Sequence, residues 1–156
     1  MSDTKIDFKD SKGFWINEPY FEMTCNFILQ ALNAREEEFS FREIITKDLT
    51  YKVNGYDHGM LVITWRDYIK TKEEELQMAS ILEDAMAIVE AKGEYITTEE
   101  LNSYEAAKEE QYFAFNWPNP LPTQEVGKIL DALVKILKGE WESTNYAMYI
   151  DYSFFD

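Results

Sequence analysis

The single histidine of the chain, His58, is the first residue to consider for catalysis or metal binding. It lies between Gly55 and Gly59 in a turn-like segment, and catalytic groups favour loops, as solvated histidines also do. No nucleophile signature flanks His58, so the sequence assigns it no catalytic role. Metal motifs that need two histidines are excluded because the chain has only one.

Cys25 is the only cysteine, which excludes an intramolecular disulfide and any zinc site built from several cysteines. Its neighbours give no sign of a reactive thiolate, so we expect a small buried side chain. The six glycines occur singly, and neither a phosphate-binding loop nor a dinucleotide fingerprint is present. The sequence therefore predicts no catalytic residue, no cofactor and no metal site.

One segment shares part of the pattern of an EF-hand calcium loop. Ile96 is followed four residues later by Glu100 and then by a predicted helix. In that alignment Ala91 and Gly93 occupy ligand positions that need oxygen-bearing side chains. Those oxygens are missing, and a helix capping box formed by Thr97 and Glu100 explains the same residues better.

The charge balance is the most unusual feature of the composition. The 156 residues include 30 Asp and Glu against 15 Lys and Arg, a net charge of −15 at pH 7. Nucleic acid and anionic membrane surfaces should be repelled, whereas a basic protein partner would be attracted. The same charge could instead serve only solubility. Residues 66–110 carry more than half of the excess.

Aromatic residues lie within or near this acidic segment, and aromatic side chains beside charge are common in protein interfaces. A solvated acidic face, with the aromatic residues in the core, is the competing interpretation. Some pair of carboxylates will also lie close enough for acid–base or metal chemistry, but the sequence does not identify it. The candidate partner-binding residues are Glu73, Glu74, Glu75, Tyr95, Glu99, Glu100, Glu109, Glu110 and Trp117.

Hydrophobic periodicity and capping signals predict about five helices. For residues 41–53 the helical period covers more positions than the competing hairpin across Asn54 and Gly55. The helix that follows Thr97 is very polar and is predicted to extend to Glu110. The predicted helix caps are Asn17, Ser40, Thr71, Thr97 and Thr123, and the three at 40, 71 and 97 have the spacing of a capping box.

Short apolar runs predict strands at residues 14–16, 60–65 and 112–115, the first of them an edge strand. Alternating apolar residues from Tyr146 to Phe154 predict a C-terminal strand with one buried face. Residues 1–12 are interpreted as a loose lead-in to one α+β domain over residues 13–156. We expect its helices to pack on a small, mainly antiparallel sheet. No secretory signal or apolar run of ~20 residues occurs, so we expect a cytoplasmic protein.

The chain resembles bacterial toxin-immunity proteins, the small cytoplasmic inhibitors that neutralise a cognate toxin. The features that carry the resemblance are a compact acidic α+β domain, one histidine, one cysteine and the stretch FWINEPYF at residues 14–21. The resemblance implies a non-enzymatic protein that fills the basic active-site cleft of a toxin, such as a nuclease. Three alternatives stay open: a phage-type nucleic-acid mimic, a small carboxylate-dependent enzyme with a pocket of convergent acids, and a plain regulatory or structural subunit.

Overall fold

The computed structural model describes residues 3–152 and contains five α-helices and five β-strands. It confirms the predicted α+β class with a C-terminal strand. The strands are β1 (Asp3–Lys9), β2 (Lys12–Asn17), β3 (Tyr95–Ile96), β4 (Leu121–Pro122) and β5 (Tyr146–Ala147). The helices are α1 (Glu18–Ala34), α2 (Arg42–Val53), α3 (Lys72–Glu90), α4 (Thr98–Ala106) and α5 (Thr123–Leu137).

An antiparallel hairpin of β1 and β2 begins the described chain. Asp10 and Ser11 connect the two strands with φ angles of 55° and 59°, a backbone that matches the twist of a tight hairpin. Ile6 and Phe8 of β1 are buried. The predicted loose lead-in is therefore wrong, because every second side chain of this polar-looking segment enters the core.

The strand β2 is central rather than at an edge, which corrects the prediction for residues 14–16. It pairs antiparallel with β1 on one side and parallel with β5 on the other. The strands β3 and β4 form a separate two-stranded antiparallel sheet. Two of the three pairings are thus antiparallel.

The helix α1 contacts α2, α3 and α5 and lies at the centre of the fold. Apolar residues at helical spacing are buried along it, including Phe21, Cys25, Ile28 and Leu32. The long apolar stripes of α3 and α5 pack against each other. Among residues 3–152, no helix has both the length and the apolar character needed to cross a membrane.

The predicted helix caps hold to different degrees. The capping box of α3 is complete, since Thr71 accepts the Glu74 N–H and the Glu74 carboxylate accepts the Thr71 N–H. At α4, Thr97 accepts the Glu100 N–H. The box predicted at Ser40 is wrong, because its hydroxyl donates to Glu74 of α3. The range of α2 confirms the helix over the hairpin for residues 41–53.

Two predicted strands do not form. Residues 60–64 have no regular secondary structure and lead into a 3₁₀ turn at Trp65–Asp67. Residues 112–115 include part of another 3₁₀ turn at Gln111–Phe113. The polar helix α4 ends at Ala106, four residues before the predicted end. The C-terminal alternation buries Met148 and Ile150, although only Tyr146–Ala147 pairs as a strand. Phe154 lies outside the described residues.

Candidate functional site

Five ionisable side chains are enclosed between the first half of α1, the turn at residues 54–60 and the end of α4. Glu18 and Glu22 are each 1% exposed, and Glu105 and Lys108 are also buried. His58 closes the group, with its side chain 16% exposed. Charged side chains are almost never buried to this degree unless they are paired. We call Glu18, Glu22, His58, Glu105 and Lys108 the buried cluster.

Glu18 and Glu22 lie one turn apart on the same face of α1. Carboxylates at this spacing repel each other, although the positive end of the helix dipole favours Glu18 in the first turn. The Gly59 N–H donates to Oε2 of Glu18 at 2.7 Å. The φ of Gly59 is 92°, a conformation that glycine adopts without strain. Burial raises the pKa of the Glu22 carboxyl, against the opposing effects of Lys108 and His58.

His58 lies between these two carboxylates. Its Nδ1 is 2.6 Å from Oε2 of Glu22 and 3.7 Å from Oε2 of Glu18. The ring of Phe113 stacks on the imidazole, with 4.7 Å between the ring centroids. One ligand atom from each of the three ionisable residues lies within 4.8 Å of the other two. Imidazole nitrogen and carboxylate oxygen are both metal ligands, so these three residues could hold a metal ion.

Glu105 and Lys108 form a buried ion pair, with 2.8 Å between Lys108 Nζ and Glu105 Oε1. The Glu105 carboxylate also accepts the Phe115 N–H at 2.8 Å and the indole N–H of Trp117 at 3.0 Å. Lys108 Nζ is 3.7 Å from Oε1 of Glu22, an oxygen that makes no hydrogen bond. The Glu105 carboxylate is therefore well satisfied, whereas the Glu22 carboxylate is hydrogen-bonded through Oε2 alone, to His58.

The turn that carries His58 is held at both of its ends. Buried Lys52 of α2 lies 2.7 Å from Asp48 and 3.1 Å from Asp57, the residue before His58. Burial alone would lower the pKa of Lys52, but the hydrogen bond and charge of Asp48, with Asp57, raise it. The carbonyl of Asn54 accepts the Glu110 N–H at 3.1 Å. These contacts fix the position of the imidazole.

No member of the buried cluster was among the predicted site residues. The available signal was the spacing of four between Glu18 and Glu22 in a helix whose other faces are apolar. In α4, Leu101 is buried, as its apolar side chain predicts, but Glu105 is buried as well. The sequence could not reveal the cluster because His58 is separated from Glu22 by 36 residues along the chain.

The predicted partner-binding residues are divided between exposed and internally bound groups. Glu74 caps α3 and Glu75 pairs with Lys9 at 2.6 Å. The carboxylate of Glu100 binds Lys92 and the hydroxyl of Tyr104. Trp117 is 1% exposed, so it cannot contact a partner, and the prediction that it binds one is wrong.

Other predicted partner-binding acids remain at the surface. Glu73 and Glu99 are exposed and form no ion pair within residues 3–152. Glu109 and Glu110 donate their backbone N–H groups to Asn54. Glu109 is exposed, whereas Glu110 is half-buried and its carboxylate accepts the Tyr112 N–H. Tyr95 lines a groove, together with the adjacent Gly93 and Glu94.

This groove lies between the C-terminal half of α3 and the first half of α5, next to β3 and β4. Its volume is ≈ 770 Å³, and it is lined by the acids Glu90, Glu94 and Asp131 but by no Lys or Arg among the described residues. Glu90 and Glu94 form no ion pair within residues 3–152. A Cβ at Gly127 would meet nothing within 4 Å, so this glycine leaves the wall of the groove open. We call it the acidic groove.

Similarity to known proteins assigns no function to the buried cluster or to the acidic groove. Comparisons with protein-family models, with curated proteins and with solved structures find no match. The chemistry of the buried cluster and of the acidic groove is therefore the basis for a functional assignment.

The acidic groove and the buried cluster differ in their accessibility to a ligand or partner. The acidic groove is large enough for a ligand or for side chains of a partner. A second, smaller groove of ≈ 280 Å³ lies beside Trp15 and Tyr149. No residue of the buried cluster lines either groove. A carboxylate-dependent enzyme requires a pocket in which acids of raised pKa converge. The pKa of Glu22 is raised, but Glu22 lines neither of these two grooves.

Proposed function

We propose that this protein is a non-enzymatic inhibitor of the immunity type, which binds a basic protein partner in the cytoplasm. The partner is a toxin whose active-site cleft is positively charged, as in a nuclease. The observation that carries the proposal is the acidic groove, where three carboxylates and no Lys or Arg surround a volume of ≈ 770 Å³.

Charge complementarity supports this partner. The net charge of −15 would accelerate the encounter with a basic protein. At closer range, Glu90 and Glu94 have no cation of their own chain to neutralise them within residues 3–152. A Lys or Arg of the partner would therefore not have to displace an existing ion pair at these positions. Tyr95 adds an aromatic surface, of the kind that interface hot spots often use.

The test begins with affinity capture from the native host, and the recovered protein is then purified and titrated. The groove variant replaces Glu90→Gln, Glu94→Gln and Asp131→Asn. Asp131 already pairs with Lys135 at 3.0 Å, so the effect comes mainly from Glu90 and Glu94. Loss of two charge contacts at about 0.5–1 kcal/mol each should weaken binding about 5- to 30-fold. Binding of the parent protein should also weaken with added salt, because salt screens these contacts.

The matched control removes three exposed acids elsewhere, through Glu36→Gln, Glu38→Gln and Glu140→Gln. It has the same net charge as the groove variant and should bind within about 3-fold of the parent, since only long-range steering is reduced. The captured protein must also lose its own activity when the parent protein is added in equal amount. An acidic captured protein, equal binding by both variants, or undiminished activity in the complex would each contradict the proposal.

A further inference from the structure

We propose that Glu18, Glu22 and His58 form a binding site for one divalent first-row transition-metal ion, with zinc as its representative. This inference goes beyond the proposed function, because the site lies inside the buried cluster and not in the acidic groove. Three observations support it: the type of the ligand atoms and their spacing, the charge they carry, and a buried oxygen without a hydrogen bond.

The spacing of the ligand atoms fits a small ion. Ligands at about 2.1 Å from a tetrahedral zinc lie about 3.4 Å from one another. The Nδ1 of His58 is 2.6 Å from Oε2 of Glu22 and 3.7 Å from Oε2 of Glu18, so the two observed distances lie on either side of this value. The third distance, between the carboxylate oxygens of Glu18 and Glu22, is within 4.8 Å, so a modest side-chain adjustment is needed for all three atoms to reach one ion. The ion would replace the direct contact between His58 Nδ1 and Glu22 Oε2.

The charge of the site also fits. Lys108 lies 2.8 Å from Glu105 and 3.7 Å from Glu22, so one lysine faces three buried carboxylates, including Glu18, and two negative charges remain uncompensated. A proton on His58 compensates only one of these charges, whereas a divalent ion compensates both. Buried like charges on one helical face are otherwise unfavourable.

A separate observation concerns Oε1 of Glu22. This oxygen is buried and makes no hydrogen bond, and the nearest cation, Lys108 Nζ, is 3.7 Å away. Buried polar atoms are usually paired, and each exception calls for an explanation. A metal ion held by the Glu22 carboxylate would satisfy this oxygen through bidentate coordination.

The donor set selects among ions. One imidazole nitrogen and two carboxylates suit zinc and its first-row neighbours. Magnesium and calcium need about six oxygen ligands, which these three residues do not supply. The fixed turn at residues 54–60 holds the imidazole, and the Gly59 N–H orients Glu18 through its hydrogen bond to Oε2. Such supporting contacts are common around metal ligands.

The experiment titrates the tag-free protein with Zn²⁺ alone, using calorimetry and competition with a chelating dye. We expect one ion per chain and binding of Mg²⁺ at least about 100-fold weaker. The variants Glu22→Gln and His58→Asn keep a similar shape and hydrogen-bonding capacity, and each should weaken Zn²⁺ binding at least about 100-fold. The control Glu94→Gln removes a surface carboxylate of the acidic groove and should leave the affinity unchanged.

A second measurement does not depend on variants. Because His58 is the only histidine, its imidazole nitrogens give one unambiguous pair of NMR signals, and Zn²⁺ should shift that of Nδ1. Zinc at 100-fold excess over its Kd should also raise Tm by about 5–10 °C. The absence of binding, binding that is equal in Glu22→Gln and Glu94→Gln, or an unshifted Nδ1 signal at saturating Zn²⁺ would overturn the proposal.

Discussion

Replacement of Lys108 by methionine tests the electrostatics of the buried cluster most directly. Methionine has a similar length and fills much of the space of the lysine stem, so the change removes charge more than volume. Two carboxylates then lose their cation, since Lys108 Nζ lies 2.8 Å from Glu105 and 3.7 Å from Glu22. The hydrogen bonds that Glu105 accepts from Phe115 and Trp117 remain.

Breaking a buried ion pair on one side costs about 3–5 kcal/mol, because the remaining charge stays buried. Domains of this size unfold with about 5–15 kcal/mol, so Lys108→Met should lose a large part of the stability. The double variant Glu105→Gln, Lys108→Met removes both charges and should recover at least half of that loss. The surface pair of Lys47 and Glu43, with side chains 77% and 87% exposed, supplies the control. Lys47→Met should cost less than about 1 kcal/mol.

Urea unfolding followed by tryptophan fluorescence measures these free energies at several pH values. Burial already raises the pKa of Glu22, and Lys108 opposes that effect. Without Lys108 the pKa of Glu22 should rise further above its ordinary value of 4.5. Above pH 4.5 the folded variant therefore binds more protons than the unfolded chain. Stability of the variant should therefore fall as pH rises through this window, and its deficit should shrink on acidification. A cost no larger than that of Lys47→Met, or a deficit that grows at low pH, would refute the reasoning.

Three further predictions concern the scaffold. Gly13→Ala should cost more than about 3 kcal/mol in urea unfolding, because its Cβ would lie 1.8 Å from the carbonyl oxygen of Ile6. The thiol of Cys25, which is buried and has a raised pKa, should react with an aromatic disulfide reagent only after urea unfolds the chain, and labelling of the native protein would contradict this. Glu74→Gln should cost about 1 kcal/mol at neutral pH. The pKa of Glu74 is lowered from 4.5 to about 2, so stability curves of variant and parent should converge as pH falls through this range.

Local signals predicted those parts of the fold that local contacts determine. The helix α1 begins after Asn17 as predicted, with Pro19 in the first turn, although the Asn17 side chain makes no cap hydrogen bond. The cap predicted at Thr123 is wrong, because α5 begins at that residue and Pro122 precedes it. At α3, Thr71 and Glu74 satisfy each other three residues apart. Hydrophobic periodicity also identified the packed faces of α3 and α5, because a helix buries the same stripe against any apolar neighbour.

Pairing between distant segments explains the errors. The run at residues 60–65 alternates correctly, with Leu61 and Ile63 buried. It meets β1 through the Thr4 hydroxyl, which donates to the Leu61 carbonyl, but within residues 3–152 it forms no strand ladder there. In β1 the polar residues that alternate with Ile6 and Phe8 gave no clear strand signal, and the strand forms by pairing with β2. The burial of Glu105 depends on Lys108 and on Trp117, whose indole lies 12 residues away. The sequence of α4 alone therefore predicts a solvent-exposed Glu105, because helix propensity contains no information about these partners.

The separation of the buried cluster from the acidic groove makes the two proposals independent. Glu22 is 1% exposed, so Glu22→Gln alters no charge that a partner can contact directly. Glu94 lines the groove and forms no ion pair within residues 3–152, so its replacement alters no described contact of the cluster. Zinc binding should therefore be lost in Glu22→Gln while partner affinity is retained, and the groove variant should show the reverse. If both affinities fell together in Glu22→Gln, the metal would act on the partner surface through α1, and the cluster would belong to the inhibitory site itself.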